Sequence, residues 1–300
     1  MNLSARARAS KARLERLALF AIRSGFAALD RISPSAAAQC AETLLRTPPS
    51  ARLTPRERRL LASGRPGFSR TPVGRLALWH WGEGPAILLV HGWGGHAGRL
   101  AEFAAPVAAL GYSVIAFDAP GHGASSTRFG TIFELIDAIR ALDDRYGPFA
   151  GVIGHSLGAS AAVLSMRRGV TFGRAVLIAP PADLGAYLPR FARRFALPRR
   201  TQELLKQRLE DRYGIRWERL RLASISGPPP KTAMLVFHDS RDARVPLRDG
   251  AAIARTWPGA RLVRTQGLGH HRILRDRGVI RRSADFLRRA VLRALEARAG

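Results

Sequence analysis

Residues 149–160 read FAGVIGHSLGAS. The apolar run FAGVI ends at Gly154, and small residues lead past Ser156 into a helix-like stretch over 157–168. A run this short and this continuously apolar suits a strand buried on both faces better than a buried helix. A strand passing directly into a helix is the repeating unit of a parallel sheet. Gly154 and Gly158 flank Ser156 in the spacing G-x-S-x-G. In a tight strand-to-helix turn the serine backbone is strained, and the residues two away come so close that side chains there would clash. Ser156 is then either a nucleophile raised on the turn or the N-cap of the helix that follows. The rest of the chain bears on that choice.

Working outward, AILLV (86–90), YSVIAF (112–117), RAVLIA (174–179), TAMLVFH (232–238) and ARLVRT (260–265) repeat the apolar pattern. VGRLALWHWG (73–82) alternates and reads as an outer strand. Helix-like stretches lie between most of them, at 98–110, 131–146 and 247–257, and the last, 276–298, closes the chain. The expected fold class is α/β, a mostly parallel doubly wound sheet flanked by helices and joined by right-handed crossovers. From Asp183 to Ser226 no strand signal appears, only AYLPRFARRFALP and RTQELLKQRLEDRYGIRWERLRLAS, both helical in pattern. This predicts a helical cap insertion over 183–226, with Phe191, Phe195, Leu204, Leu205, Leu209 and Trp217 as contacts between cap and body. The triplet PPP (228–230) then leads into the next strand. Residues 1–65 are Arg-rich and helical in pattern, broken by SPS (33–35) and TPPSARLTP (47–55). They predict a basic N-terminal helical extension ahead of an α/β domain over 66–300.

With 46% hydrophobic residues the chain can bury a sizeable core. Its net charge of +27 comes from 46 Arg against 3 Lys. The basic residues are scattered, and no nucleic-acid motif accompanies them. Nucleic acid is therefore not the expected partner, and a solvated cationic surface accounts for the charge. The lone Cys40 excludes an intrachain disulfide and a cysteine-based metal site, and fits a reducing, cytoplasmic setting. In the first residues, MNLSARARASKARLERLALFAIRSGFAAL, the longest apolar run is LALFAI, too short for a signal peptide core or a spanning helix. Leu14, Leu17, Ala18, Ala21, Ile22 and Phe26 recur at helical spacing, with Arg13, Arg16 and Arg23 off that stripe. Such a helix either packs on the body of the protein or lies on an anionic membrane surface, so peripheral membrane contact through residues 1–32 is one expectation.

Ligands of open parallel sheets bind beyond the carboxyl ends of the strands. There the sequence places HGWGG (91–95), DAPGHG (118–123), GHSLG (154–158), DSRDARVP (239–246) and QGLGHHRIL (266–274). Together these loops offer a hydroxyl, a carboxylate from Asp239 or Asp242, an imidazole from His270 or His271, and glycine-rich turns that aim amides inward. The order is Ser, Asp, His. That conjunction favours the nucleophile over the N-cap.

On these motifs the chain resembles the α/β-hydrolase family over about residues 73–300. HGWGG looks like its oxyanion loop, GHSLG its nucleophile elbow, DSRDARVP its acid loop and GLGHH its histidine loop. The resemblance implies a serine hydrolase in which Ser156 attacks a carbonyl carbon, a histidine carries the proton and a carboxylate orients that histidine. The family's pattern places its carboxylate before x-x-Val-Pro, which implies Asp242 and leaves Asp239 to shape the loop, and its G-x-G-His pattern implies His270 over His271. The backbone N–H groups of Trp93 and Leu157 would meet the oxyanion. His91, His122 and His155 take no catalytic step. No cofactor or metal is expected. The leading function is hydrolysis of a small-molecule carboxylic ester through an acyl-enzyme, esterase- or lipase-like, with the cap setting substrate choice. Amide and thioester substrates stay open, as does the oligomeric state. The alternative is a basic membrane- or polyanion-binding protein on the same scaffold, docking through the N-terminal helix and RDRGVIRRSADFLRR (275–289), or a peripheral lysophospholipase that combines the two.

Overall fold

The computed structural model describes residues 3–222 and 232–299. The chain divides into two compact units: Thr47–Asp183 with Arg221–Gly300, and Met1–Arg46 with Leu184–Leu220.

The first unit is built on an eight-stranded sheet of β1 (Arg65–Thr71), β2 (Gly74–Trp81), β3 (Ala86–Val90), β4 (Ser113–Phe117), β5 (Phe149–His155), β6 (Phe172–Ile178), β7 (Ala233–Asp239) and β8 (Arg261–Thr265). The strand order is β1-β2-β4-β3-β5-β6-β7-β8. β2 is antiparallel to β1 and β4, and the remaining pairs are parallel. The mostly parallel sheet of the expected fold class is therefore present. Alternate residues of the central strands face opposite ways. Ile87 and Leu89, Val114 and Ala116, Val176 and Ile178, and Leu235 and Phe237 fill one face, packed with Phe103, Val107, Val279, Phe286 and Leu287. The Tyr112 hydroxyl donates to Leu287 O at 2.7 Å and ties the C-terminal helix α11 (Arg277–Ala299) to that layer. Leu88, Val90 and Val152 are buried on the other face, the side of α6 (Leu157–Arg167), which follows β5 directly. Because both faces are covered, these strands read as unbroken apolar runs.

Three local features depart from the sequence expectations. β1, RPGFSRT, was not foreseen; it is an edge strand with a single buried position, so it lacks an alternating signal. The stretch at 98–110 is broken into two short 3₁₀ turns followed by α4 (Ala104–Ala108). Residues 47–65 belong with the sheet rather than with the N-terminal helices. There α3 (Pro55–Ala62) begins at a capping box, in which Thr54 Oγ1 accepts from Glu57 N at 3.2 Å and Glu57 Oε2 from Thr54 N at 2.8 Å. Leu61 joins the sheet's core. The segment 275–289, the second docking element of the alternative reading, buries Val279, Ala284, Phe286 and Leu287 in the core and leaves Arg275, Arg277, Arg281, Arg282 and Arg288 exposed.

The second unit unites α1 (Leu3–Ile32) and α2 (Pro34–Arg46) with α7 (Tyr187–Phe195) and α8 (Arg199–Tyr213) from the predicted insertion. Ala37, Ala38 and Ala41 are fully buried, which lets α2 and α8 approach closely. Leu188, Phe191, Leu205, Leu209 and Trp217 complete this core, with Phe195 and Leu204 packed against it. These residues, expected as cap-to-body contacts, find their partners on the N-terminal helices. A buried carboxylate, Glu42, accepts from Arg208 Nε at 2.8 Å and from Arg212 Nε at 2.5 Å. Burial alone would raise the Glu42 pKa, but the bonds and charges of Arg212 and Arg208 hold it below the usual range. The far end of the expected insertion, residues 223–226, and PPP (228–230) lie outside the described residues.

Candidate active site

Ser156 lies between β5 and α6 with φ 52° and ψ −125°, a positive φ that only a strained turn imposes on a residue with a side chain. Its backbone N–H donates to Ile178 O at 2.8 Å, anchoring the turn to β6. The side chain makes no capping bond to α6. The flanking glycines are required sterically. A Cβ on Gly154 would stand 2.6 Å from Ala159 Cα, and one on Gly158 would stand 2.3 Å from Val90 O and 2.4 Å from His91 O.

The Ser156 hydroxyl instead faces His270, with Oγ 3.0 Å from Nε2. His270 Nδ1 lies 2.7 Å from Asp242 Oδ2. With the proton on Nδ1 toward the carboxylate, Nε2 is left as the acceptor for the serine O–H. Asp242 Oδ1 accepts from Arg244 N at 2.8 Å and Val245 N at 3.0 Å. Burial pushes the Asp242 pKa upward, but the bond from His270, the backbone bonds and the His270 charge hold it below its ordinary value. It stays ionised at neutral pH.

Asp239 is placed elsewhere. It accepts from Thr265 Oγ1 at 2.8 Å, Leu268 N at 3.0 Å and Arg241 N at 2.9 Å, so it joins the acid loop to the histidine loop. These bonds outweigh its burial and lower its pKa to about 2. His271 stands beside His270 with ring centroids 5.1 Å apart. Burial first, then the charges of Arg244, His270 and Arg99, bring its pKa to about 4, leaving it neutral.

Three further histidines shape the site, and their connections were not foreseen. His91 Nε2 accepts from Ala119 N at 2.9 Å while Nδ1 faces Gly92 O at 2.8 Å. His122 Nε2 accepts from Gly94 N at 3.0 Å while Nδ1 faces Pro120 O at 2.8 Å. Both rings therefore carry their proton on Nδ1 and lace HGWGG to DAPGHG. Burial, chiefly, lowers both pKa values and keeps the rings neutral, as this pattern demands. Trp93 rests edge-on against His122, with centroids 5.5 Å apart. Beneath the serine, His155 Nε2 donates to His270 O at 2.9 Å and fixes the backbone of the residue facing Ser156. Burial, and next the His270 charge, press the His155 pKa far down. The visible signal for all three was a histidine beside a glycine at a strand end. Each ring makes one bond to a loop distant in sequence: His91 to Ala119, His122 to Gly94 and His155 to His270. Among the described residues, no group of three or more His, Cys, Asp or Glu could hold a metal ion.

Residues 87–290 match the Alpha/beta hydrolase family, and the chain belongs to it. An esterase of Pyrococcus furiosus superposes with a TM-score of 0.58 at 22% identity, covering 81% of this chain and 97% of its own. Alpha/beta hydrolase domain-containing protein 10 from mouse gives 0.57 at 20% identity over 77% and 99% of the two chains. An esterase of Exiguobacterium antarcticum gives 0.56 at 14% identity over 74% and 99%. At these identities the likeness is one of fold. No curated protein matches the chain by sequence.

Proposed function

We propose that the protein is a serine hydrolase that cleaves small carboxylic esters through an acyl-enzyme on Ser156. The observation that carries this reading is the unbroken chain Ser156 Oγ–His270 Nε2–Asp242, with contacts of 3.0 and 2.7 Å, ending on a serine held at positive φ. As Oγ attacks the ester carbonyl carbon, its proton passes to His270 Nε2. The imidazolium is stabilised by the Asp242 carboxylate, which keeps its two backbone bonds and does not take up the proton. The carbonyl oxygen becomes an oxyanion, for which the assigned donors are the N–H groups of Trp93 and Leu157. His91 and His122 hold the Trp93 loop by neutral-ring bonds, so that loop is braced before substrate arrives. His270 then protonates the departing alkoxide. Water, deprotonated by the same nitrogen, releases the acid from Ser156 and restores the hydroxyl. The esterases among the structural neighbours are in keeping with ester chemistry.

The test is labelling by a fluorophosphonate, with turnover of p-nitrophenyl esters of increasing chain length. Wild type is expected to label and to turn over esters, with both lost in Ser156→Ala. Labelling that survives the substitution, or a wild type that labels yet hydrolyses thioesters or amides and no ester, overturns the proposal.

A further inference from the structure

Of the seven large hydrophobic side chains exposed among the described residues, five lie on α1. Leu14, Leu17, Phe20 and Ile32 are 64%, 56%, 69% and 82% exposed. Lipid-like or protein-like surface is what such a concentration ordinarily meets. The rotation of α1 is set by its contacts within its own unit. Phe26 is buried, Arg23 donates through Nε and Nη2 to Arg194 O at 3.0 and 2.9 Å, and Asp30 accepts from Thr201 Oγ1 at 2.6 Å. About half a turn away, Leu14, Leu17, Phe20 and Ile32 share an arc of about 120° with Ala21, Ser24 and Ala28. Between Leu14 and Ala28 no charged residue falls on that arc; Arg13 and Arg31 stand at its two ends and Arg16 on its flank. Over its length α1 carries seven basic residues against two acidic ones.

We propose that this face of α1 docks the protein onto an anionic lipid surface, with the apolar arc entering the headgroup boundary and the arginines pairing with lipid phosphates. An apolar face with a basic border is the composition of a helix lying in the membrane interface. Charge selects the occupant. A second copy using the same face would set basic border against basic border, with Glu15 as the only acidic side chain not already engaged by Thr201. Anionic headgroups meet the border with opposite charge. No described helix is long and apolar enough to cross a membrane, so the contact is peripheral.

The test is co-sedimentation of the full chain with vesicles of phosphatidylcholine alone and of phosphatidylcholine with about a third phosphatidylglycerol. Binding is expected to the anionic vesicles, at least about tenfold weaker to the neutral ones, and weakened several-fold between about 0.1 and 0.5 M salt. The double substitution Leu17→Glu with Phe20→Glu is expected to lower binding at least about tenfold, with the circular dichroism and ester turnover of wild type. Arg16→Gln costs about fivefold, and Ser156→Ala binds as wild type, which separates docking from the ester reading. Any one of three results overturns the proposal: no binding to either vesicle, equal binding to both, or full binding by the double substitution. So does a wild-type dimer in analytical ultracentrifugation that the double substitution dissociates, since the occupant is then a second copy.

Discussion

Replacing Gly158 with alanine would put a methyl carbon 2.3 Å from Val90 O and 2.4 Å from His91 O, where ordinary contact begins at 3.4 Å. Both neighbours are backbone, one at the end of β3 and the other opening the HGWGG loop, so no side chain can rotate away. Relief requires α6 and the end of β3 to part by about 1 Å. Overpacking of a tight interior costs about 1–3 kcal/mol, and two unyielding carbonyls place this case near the upper end. The movement would also carry Ser156 away from the Trp93 loop, and a displacement of about 1 Å at a reacting centre can cost about a hundredfold in rate. The expected outcome is a urea midpoint lowered in keeping with about 3 kcal/mol, and a loss of about a hundredfold in kcat/KM for p-nitrophenyl butyrate while the protein remains folded. Gly67→Ala on β1, where a Cβ meets nothing within 4 Å, serves as the control and should stay within about 0.5 kcal/mol. A Gly158→Ala protein with wild-type midpoint and turnover would refute the packing argument and the proposed coupling of elbow to loop.

Asp242→Asn keeps the size of the side chain but removes the charge that faces the imidazolium; kcat should fall about 10³–10⁴-fold with KM little changed, and a loss under tenfold in steady-state kinetics would contradict the assigned role. Asp239, with a folded pKa of about 2 against an ordinary 3.8, contributes on the order of 2 kcal/mol that is fully present above about pH 4 and disappears as pH falls through 2. Asp239→Asn should therefore be less stable at pH 7 and lose less further stability on acidification, as read from urea midpoints between about pH 6 and 2; parallel pH profiles for the two proteins would exclude this source. Glu42→Ala leaves Arg208 and Arg212 without their shared carboxylate, but both arginines are over a third exposed and regain water. The expected cost is about 1–2 kcal/mol, visible in urea unfolding, and an unchanged midpoint would show that the ion cluster is energetically idle.

Much of the α/β unit was legible because its determinants are local. A strand buried on both faces must be apolar throughout, so β3, β4, β5, β6 and β7 announce themselves within a few residues each. β1 was silent for the converse reason: an edge strand with one buried side chain carries no periodic demand. The turn glycines were equally readable, since a close approach such as that of Gly158 to Val90 O excludes every larger residue.

The sequence by itself determined the succession of the inner strands β3 to β7, and the strand ends on which Ser156, Asp242 and His270 lie. Each of those depends on hydrophobic period or turn sterics over a short window. Tertiary structure decided the rest. Ser156 and His270 are far apart in the chain, and their 3.0 Å contact follows from the parallel stacking of β5 through β8. The same long-range pairing makes His91, His122 and His155 into braces, since each bonds a loop outside its own neighbourhood. The union of residues 1–46 with 184–220 was hidden for a different reason. An amphipathic helix declares that it has an apolar face, but hydrophobic attraction is non-directional, and the pattern of one helix does not name the helix that will cover it. The small alanines of α2 meeting Leu205 and Leu209 of α8 are a match of shapes, and shape exists only once the chain has folded.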